Sequence, residues 1–221
     1  MKKLTLTNLL VSLCVVVYVF DKYIFPSNAN MFDVETIDSL DYLLGFCGGN
    51  VFQSLCFYND CIADGEPWRV ITFLFIHAFI FHLVTNMIAL AFVGNHLEKK
   101  FGRKVILFFF LWSGIIGIFI TNFLPFLDTS QSLAGGASGG IFGLMGMDFI
   151  YCILKKGRIK SISKIMRIYL AFYGIVFTYS LGMWTICAHN ISFAIGFLSG
   201  LCLFKSGLLS YQEEDASNER G

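Results

Sequence analysis

The sequence predicts an all-α membrane protein with six transmembrane helices. Of its 221 residues, 56% are hydrophobic and only 14% are charged, and the mean hydropathy is +0.70. An average soluble domain is roughly 45–50% apolar and about 25% charged. A water-soluble fold of this size would therefore have too few polar side chains to cover its surface, whereas a lipid-facing surface needs none. The net charge of +1 gives no indication of nucleic acid binding.

Six apolar stretches approach the roughly 20 residues that a membrane-spanning helix needs, and we call them the first to the sixth span. They are Leu4–Phe20, Val70–Val93, Val105–Phe126, Gly139–Leu154, Ile168–Cys187 and Ile191–Leu208. The first span follows two lysines, as the core of a signal peptide does, but its apolar run is longer than a typical signal-peptide core. We therefore expect it to be retained as a transmembrane helix.

Basic residues alternate between the two sides of this predicted bundle. One side holds Lys2, Lys3, Lys99, Lys100, Arg103, Lys104, Lys155, Lys156, Arg158, Lys160, Lys164, Arg167, Lys205 and Arg220. The connections on the other side carry only Lys22 and Arg69. Because cytoplasmic loops are enriched in lysine and arginine, both termini are predicted to be cytoplasmic, and this alternation requires an even number of spans.

The predicted organisation is one membrane domain over residues 1–208, with a long outer loop at residues 21–67 and a polar cytoplasmic tail at residues 209–221. Apolar side chains in the loop indicate an element that is partly embedded in the membrane. Two outcomes stay open for Cys56 and Cys61 in this loop. They form a disulfide if the loop faces an oxidising compartment and the backbone permits it, or they remain free thiols.

Ser138 lies in the small-residue segment GGASGG, residues 135–140, at the predicted outer end of the fourth span. Backbone N–H groups at a helix start lack intrahelical acceptors and can donate to a developing oxyanion. Small neighbours at Gly136 and Gly139 would let a substrate carbonyl approach. Ser138 is therefore a candidate nucleophile if a base lies nearby. The alternative is that these small residues serve only close packing of membrane helices.

His82 and Asn86 lie four residues apart in the second span and therefore on one helix face. Polar side chains in an apolar helix are costly unless they are hydrogen-bonded. They are either a structural hydrogen-bonding pair between helices or donors to the oxygen of a tetrahedral intermediate. His77 lies five residues before His82, so the two do not share a face as the ligands of HExxH do. The sequence predicts no metal site and no cofactor.

Four motifs between Trp68 and Gly200 form a recognisable combination. They are WR-x-x-T-F-x-F-x-H-x-x-x-x-H-x-x-x-N over residues 68–86, GNHLEKKFG over residues 94–102, GASG over residues 136–139, and G-x-x-x-G from Gly196 to Gly200. Together they resemble the rhomboid family of intramembrane serine proteases. The compact loops and the lack of a transit-peptide pattern are compatible with the cell membrane, which is the expected location. The resemblance implies a rhomboid-like six-helix bundle and a Ser–His dyad. It also implies an oxyanion hole from the Ser138 amide, His82 and Asn86, and membrane-anchored protein substrates cleaved near the outer face.

The resemblance places the base on the sixth span, three residues before the first glycine of G-x-x-x-G. Counting back from Gly196 gives Phe193, and the nearest histidine is His189. His189 would lie one turn, about 5.4 Å, closer to the outer surface. We expect it to reach Ser138 only if the sixth span slides or starts irregularly. Phe193 is expected to face Phe142 and to fill the space beside the serine.

Three functions follow from these patterns. The favoured one is a serine protease with Ser138 as nucleophile and His189 as base. The alternative, motivated by Phe193, is a catalytically inactive rhomboid-like protein that binds transmembrane helices. A third is a small transporter in which polar residues such as Asp148 line a pathway, but the sequence shows neither an inverted repeat nor paired broken helices.

Overall fold

The computed structural model of the protein describes residues 4–24, 50–124, 133–154, 171–175 and 182–209. Within these ranges the secondary-structure elements are helices, and the β-type pairing is an isolated bridge between Phe57 and Ala134. The predicted all-α class agrees with this part of the chain. Residues 25–49 of the predicted outer loop, residues 168–170 and 176–181 of the fifth span, and residues 210–221 of the tail lie outside the described residues.

The helices are numbered here in chain order. They are α1 (Leu6–Val19), α2 (Asn50–Leu55), α3 (Arg69–Thr72), α4 (Ile80–Phe101), α5 (Arg103–Asn122), α6 (Ser138–Leu154) and α7 (Gly182–Lys205). A π-helical segment, Phe20–Ile24, extends α1, and a 3-10 turn, Phe73–Phe75, follows α3. Residues 171–175 are also helical.

Among the described residues, four segments are long and apolar enough to cross a membrane: Leu6–Ile24, Ile80–Phe101, Arg103–Asn122 and Met183–Lys205. The 17 described residues of helix α6 are apolar as well. A chain with several such helices is a multi-pass membrane protein. Six spans and two cytoplasmic termini stay a prediction.

The predicted start of the second span is wrong. The apolar run begins at Val70, but α4 begins at Ile80, after α3, the 3-10 turn and extended backbone at Ile76 and Phe79. The carbonyl of Phe73 accepts the N–H of Gly136 at 2.8 Å. That carbonyl therefore bonds a distant segment instead of continuing a helix, which hydropathy alone does not reveal.

The predicted boundary between the fifth and sixth spans is also wrong. Helix α7 begins at Gly182, so residues up to Cys187 belong to the last helix. The polar pair His189 and Asn190, which lies between the two predicted spans, is inside the helix. Asn190 is compatible with this position because its Nδ2 donates to the carbonyl of Ile186 at 2.8 Å, one turn earlier.

Helices α5, α6 and α7 form the tightest part of the bundle, because small residues line their contacts. A Cβ on Gly196 of α7 would overlap the carbonyl of Gly143 on α6. A Cβ on Gly146 would likewise overlap the carbonyl of Phe193. Gly117 of α5 leaves room for the side chain of Ser192. Backbones therefore meet backbones across these interfaces, as small residues allow in membranes.

Glu98 joins α1 to α4. Its carboxylate accepts the N–H groups of Leu6 and Thr7 and the hydroxyl of Thr7, each at 2.8 Å. Arg103 approaches the same carboxylate at 3.4 Å. The N-terminal N–H groups of a helix lack intrahelical acceptors and favour a negative charge. Glu98 therefore caps the start of α1 from a different helix.

Arg69 anchors the segment before α4. Its Nε donates to the carboxylate of Glu66 at 2.6 Å, and its Nη1 donates to the carbonyls of Gln53 and Cys56 at 2.6 and 2.9 Å. Hydrogen bonds from Arg69 and from the Tyr58 hydroxyl hold the pKa of Glu66 below its ordinary value. The guanidinium of Arg69 thus links α2 to the start of α3.

Cys56 and Cys61 are both buried free thiols, so the disulfide alternative is not realised. The Sγ of Cys56 donates to the carbonyl of Gln53 at 3.5 Å. Burial raises the pKa of the Cys56 thiol, although the nearby Arg69 guanidinium opposes this. A protonated, buried thiol of this kind behaves as a small apolar side chain.

Gly196→Ala is expected to lower the melting temperature of the protein in detergent more than Gly200→Ala does. The added methyl at position 196 meets the backbone of Gly143, whereas at position 200 it meets the Ile150 side chain at 2.9 Å, which can move. Overpacking against backbone costs about 1–3 kcal/mol. Equal shifts of the two melting temperatures would contradict the close α6–α7 contact.

Candidate active site

The segment before α6 is held in place by the chain around residues 57–77. Ala134 exchanges two backbone hydrogen bonds with Phe57, each at 2.9 Å, and the Gly136 N–H donates to Phe73. The Ala137 N–H donates to His77 Nε2 at 3.4 Å. These contacts fix three successive points of the segment that ends at Ser138, the first residue of α6.

Gly136 is required by both its backbone and its surroundings. Its φ is +139°, a conformation that side chains disfavour, and a Cβ there would lie 2.6 Å from Cε1 of His82. The imidazole of His82 therefore packs directly on the Gly136 backbone. These two predicted site residues are brought together, two residues before the serine.

Ser138 and His189 are in hydrogen-bonding contact. His189 Nε2 lies 2.9 Å from Ser138 Oγ, within the range that proton transfer requires. His189 is buried within α7, and its ring stacks on Phe142 of α6 at a centroid distance of 4.3 Å and an interplanar angle of 10°. The expectation that His189 reaches Ser138 only if the last span slides or starts irregularly is wrong, because His189 lies inside the continuous helix α7.

The error arose from the register of the small residues on α7. Ser192 is the first residue of the packing face, because its side chain lies against Gly117 of α5 and close to Gly139 of α6. It is followed at four-residue intervals by Gly196 and Gly200. Counting three residues back from Ser192 gives His189. The count that started at Gly196, the first glycine of the face, was therefore displaced by about one turn.

Phe193 does not occupy the space beside Ser138. Its ring packs against Phe149 at 5.9 Å, further along α6. The expected contact between Phe193 and Phe142 is therefore wrong, because Phe142 is stacked on His189 instead. The inactive alternative was motivated by Phe193 in the expected position of the base, and the structure places the Phe193 ring elsewhere.

A cavity of about 270 Å³ adjoins the serine. Its lining includes Ser138, His189, His82, Gly136, Trp184 and Ser192. The wall at Trp184 is fixed to α5, because its Nε1 donates to Asn122 Oδ1 at 3.2 Å. Since a water molecule takes up about 30 Å³ of liquid, the cavity has room for water together with part of a bound chain.

Asn86 lies beside His82 but does not line this cavity. It is fully buried, its Nδ2 donates to the His82 carbonyl at 2.8 Å, and its Oδ1 accepts the hydroxyl of Tyr173 at 2.9 Å. The structure thus brings Ser138, His189, His82 and Gly136 to one cavity and places Asn86 behind His82.

Two residues of the site were missed in the sequence. His77 was part of the motif over residues 68–86 and was rejected as a metal ligand, but it was given no role at the site. The break before α4 brings its ring to 5.1 Å from that of His82, edge to face. Tyr173 carries the hydroxyl that reaches Asn86, and the available signal was that a tyrosine in an apolar span needs a hydrogen-bond partner.

The comparison with protein families agrees with the motifs. The family model of the rhomboid domain matches residues 64–206, well over half of the chain. The chain belongs to the rhomboid family. The resemblance read from the four motifs is thereby confirmed, and the apolar helices are those of a multi-pass membrane protein of this family.

Relatives in bacteria and plants share a substantial part of this rhomboid chain. YdcA of Bacillus subtilis is 31% identical over 152 residues, which cover 67% of this chain and 73% of YdcA. RHOMBOID-like protein 2 of Arabidopsis thaliana is 33% identical over 146 residues, 66% of this chain and 44% of the plant protein. Rhomboid protease GluP of Bacillus subtilis is 40% identical over 88 residues, 40% of this chain and 16% of GluP. The chain thus spans less than half of the plant relative.

Gly136→Ala is expected to slow the labelling of Ser138 by a fluorophosphonate probe by at least about tenfold, since the new methyl displaces His82. Gly207→Ala is the matched control. Gly207 also has a positive φ, +73°, but nothing lies within 4 Å of its added Cβ. Comparable labelling of the two variants would show that the contact with His82 is unimportant.

Proposed function

We propose that this rhomboid-family chain is a serine endopeptidase that cleaves membrane-anchored protein substrates with a Ser138–His189 dyad. The observation that carries the proposal is the 2.9 Å contact between His189 Nε2 and Ser138 Oγ beside a cavity. A serine hydroxyl is a weak nucleophile until a base accepts its proton. His189 is positioned to be that base.

The chemistry follows from the atoms in contact. Ser138 Oγ attacks the carbonyl carbon of the scissile peptide bond, and its proton passes to His189 Nε2. The tetrahedral intermediate collapses as the C–N bond breaks and His189 returns the proton to the leaving amine. In the second half of the reaction, His189 Nε2 takes a proton from a water molecule that attacks the acyl carbonyl carbon. The C–Oγ bond to Ser138 breaks, and His189 returns the proton to Oγ. The stacked Phe142 ring holds the plane of the imidazole through this cycle.

The oxyanion would lie at the start of α6. The N–H groups of the first turn have no acceptor earlier in the helix, and the Ser138 amide is one of them. His82 lines the same cavity and is proposed as a second donor. Asn86 is proposed as a third, reached through a small shift of bound substrate or of its own side chain. The absence of a side chain at Gly136 leaves the approach to these donors open.

The charge distribution supports a site near the outer membrane face. Helix α4 has 22 residues and is therefore about 33 Å long. Its first turn carries His82 and its last turn carries Lys99 and Lys100. The catalytic end of the bundle is thus opposite its basic end. By the enrichment of basic residues on the cytoplasmic side, we place Ser138 near the outer face of the cell membrane.

Ser138→Ala and His189→Gln are each expected to reduce fluorophosphonate labelling and cleavage of a membrane-anchored reporter to background, a loss on the order of 10³-fold or more. Ser199→Ala is the control serine, because its hydroxyl contacts Trp112 on α5, away from the cavity. Labelling is measured on purified protein in detergent. Labelling of Ser138→Ala at the rate of the wild type would refute the proposal.

Two phenylalanines distinguish the protease from the inactive alternative. Phe142→Ala removes the ring that supports His189 and is expected to slow labelling by about tenfold, the size of one aromatic contact. Phe193→Ala, which alters a contact with Phe149 remote from the dyad, is expected to change labelling by less than about twofold. Faster labelling after Phe193→His than in the wild type would favour the inactive alternative.

The transport alternative gains no support from this geometry. Asp148, one of the polar residues considered for a pathway, lies ten residues beyond Ser138 on α6. Its carboxylate is 3.8 Å from His96 of α4, and it does not line the cavity.

A further inference from the structure

Tyr173 contacts both halves of the site without touching the reacting atoms. It is 2% exposed. Its hydroxyl donates to Asn86 Oδ1 at 2.9 Å, and its ring lies 5.6 Å from that of Phe142 at an angle of 31°. Phe142 in turn stacks on His189. One side chain, from a helical segment outside α4 and α6, therefore reaches the proposed oxyanion donor and the support of the proposed base.

We propose that Tyr173 is a positioning residue, which orients the amide of Asn86 toward the oxyanion and backs Phe142 against His189. The inference rests on the proposed protease function and deepens it. It adds to the Ser138–His189 dyad a requirement for the helical segment 171–175, which carries no reacting group.

The orientation of the Asn86 amide is determined by two opposite contacts. A side-chain amide has an acceptor oxygen and a nitrogen with two hydrogens. The oxygen faces the Tyr173 hydroxyl, a donor, and the nitrogen faces the His82 carbonyl, an acceptor. Rotating the amide by 180° would bring two oxygens together at His82. With Tyr173 in place, the nitrogen stays on the His82 side, from which a small shift would bring its second hydrogen to an oxyanion beside that ring.

The ring contact acts on the other half of the site. Phe142 lies between His189, at 4.3 Å, and Tyr173, at 5.6 Å. A Cβ on the neighbouring Gly174 would lie 3.9 Å from the Phe142 ring, so this segment approaches Phe142 closely. The imidazole must keep its plane for Nε2 to point at Ser138 Oγ, and a ring supported from behind resists tilting.

Burial strengthens the hydrogen bond between the Tyr173 hydroxyl and Asn86. Both partners are shielded from water, and in such surroundings a hydrogen bond is stronger and an unsatisfied partner is costlier than at a surface. Removing the hydroxyl leaves the ring against Phe142 and releases the amide of Asn86. The two roles of Tyr173 are therefore separable by substitution.

The test measures fluorophosphonate labelling at saturating probe for Tyr173→Phe, Asn86→Ala and the double variant in the full-length protein. Tyr173→Phe is expected to lower the first-order labelling rate about fivefold to tenfold with little change in the half-saturating probe concentration, since a neutral hydrogen bond is lost. Tyr151→Phe is the matched control, because it removes a buried tyrosine hydroxyl near the opposite end of α6.

If Tyr173 acts through Asn86, the double variant labels no more slowly than Asn86→Ala alone. Two results would overturn the positioning role and leave the protease function intact. In one, the loss of labelling rate in the double variant equals the product of the two single losses. In the other, Tyr173→Phe is labelled at the rate of the wild type and of Tyr151→Phe. A wild type that the probe does not label at Ser138 would overturn the protease function itself, and the positioning role with it. Melting temperatures of all variants identify any loss that is due to unfolding.

Discussion

The contact between His189 and Ser138 depends on how closely α7 approaches α6. The two side chains belong to different helices, and a shift of an ångström between those helices would separate the hydroxyl from the imidazole. Glycines at 143 and 196 place backbone against backbone, and Ser192 is small enough to fit against α5 about one turn beyond His189. The packing of small residues and the reactive geometry are therefore one feature. The two interpretations of the GGASGG segment, packing and catalysis, do not exclude each other.

The class of fold was predictable because it follows from composition, and lipid imposes a strong constraint on composition. The positions of helix ends were less predictable. Hydropathy continues from Val70 to Val93, yet a hydrogen bond from Gly136, some sixty residues later in the chain, takes the Phe73 carbonyl out of the helix. Such a bond leaves no local trace. Similarly, the predicted spans stop at Cys187 and resume at Ile191 because His189 and Asn190 are polar, whereas α7 contains both residues.

The candidate site was also only partly predictable from the sequence. Ser138, His82 and Gly136 were identified from spacing, and they line one cavity. The place of His189 was misjudged because a pattern of glycines was used to set the register, while the physical requirement is only for a small side chain, which Ser192 meets. His77 and Tyr173 act across long separations in the chain, where neither periodicity nor motif spacing gives information. Their contacts required coordinates.

The position of Ser138 in α6 has a consequence for any protein chain that would reach it. Ser138 is the first residue of the helix, and the backbone just before it is already bonded, since the N–H groups of Gly136 and Ala137 donate to Phe73 and His77. A transmembrane helix pairs its own backbone N–H and C=O groups internally. Under the proposed function, such a helix must therefore unwind locally before one of its peptide carbonyls can meet the Ser138 hydroxyl.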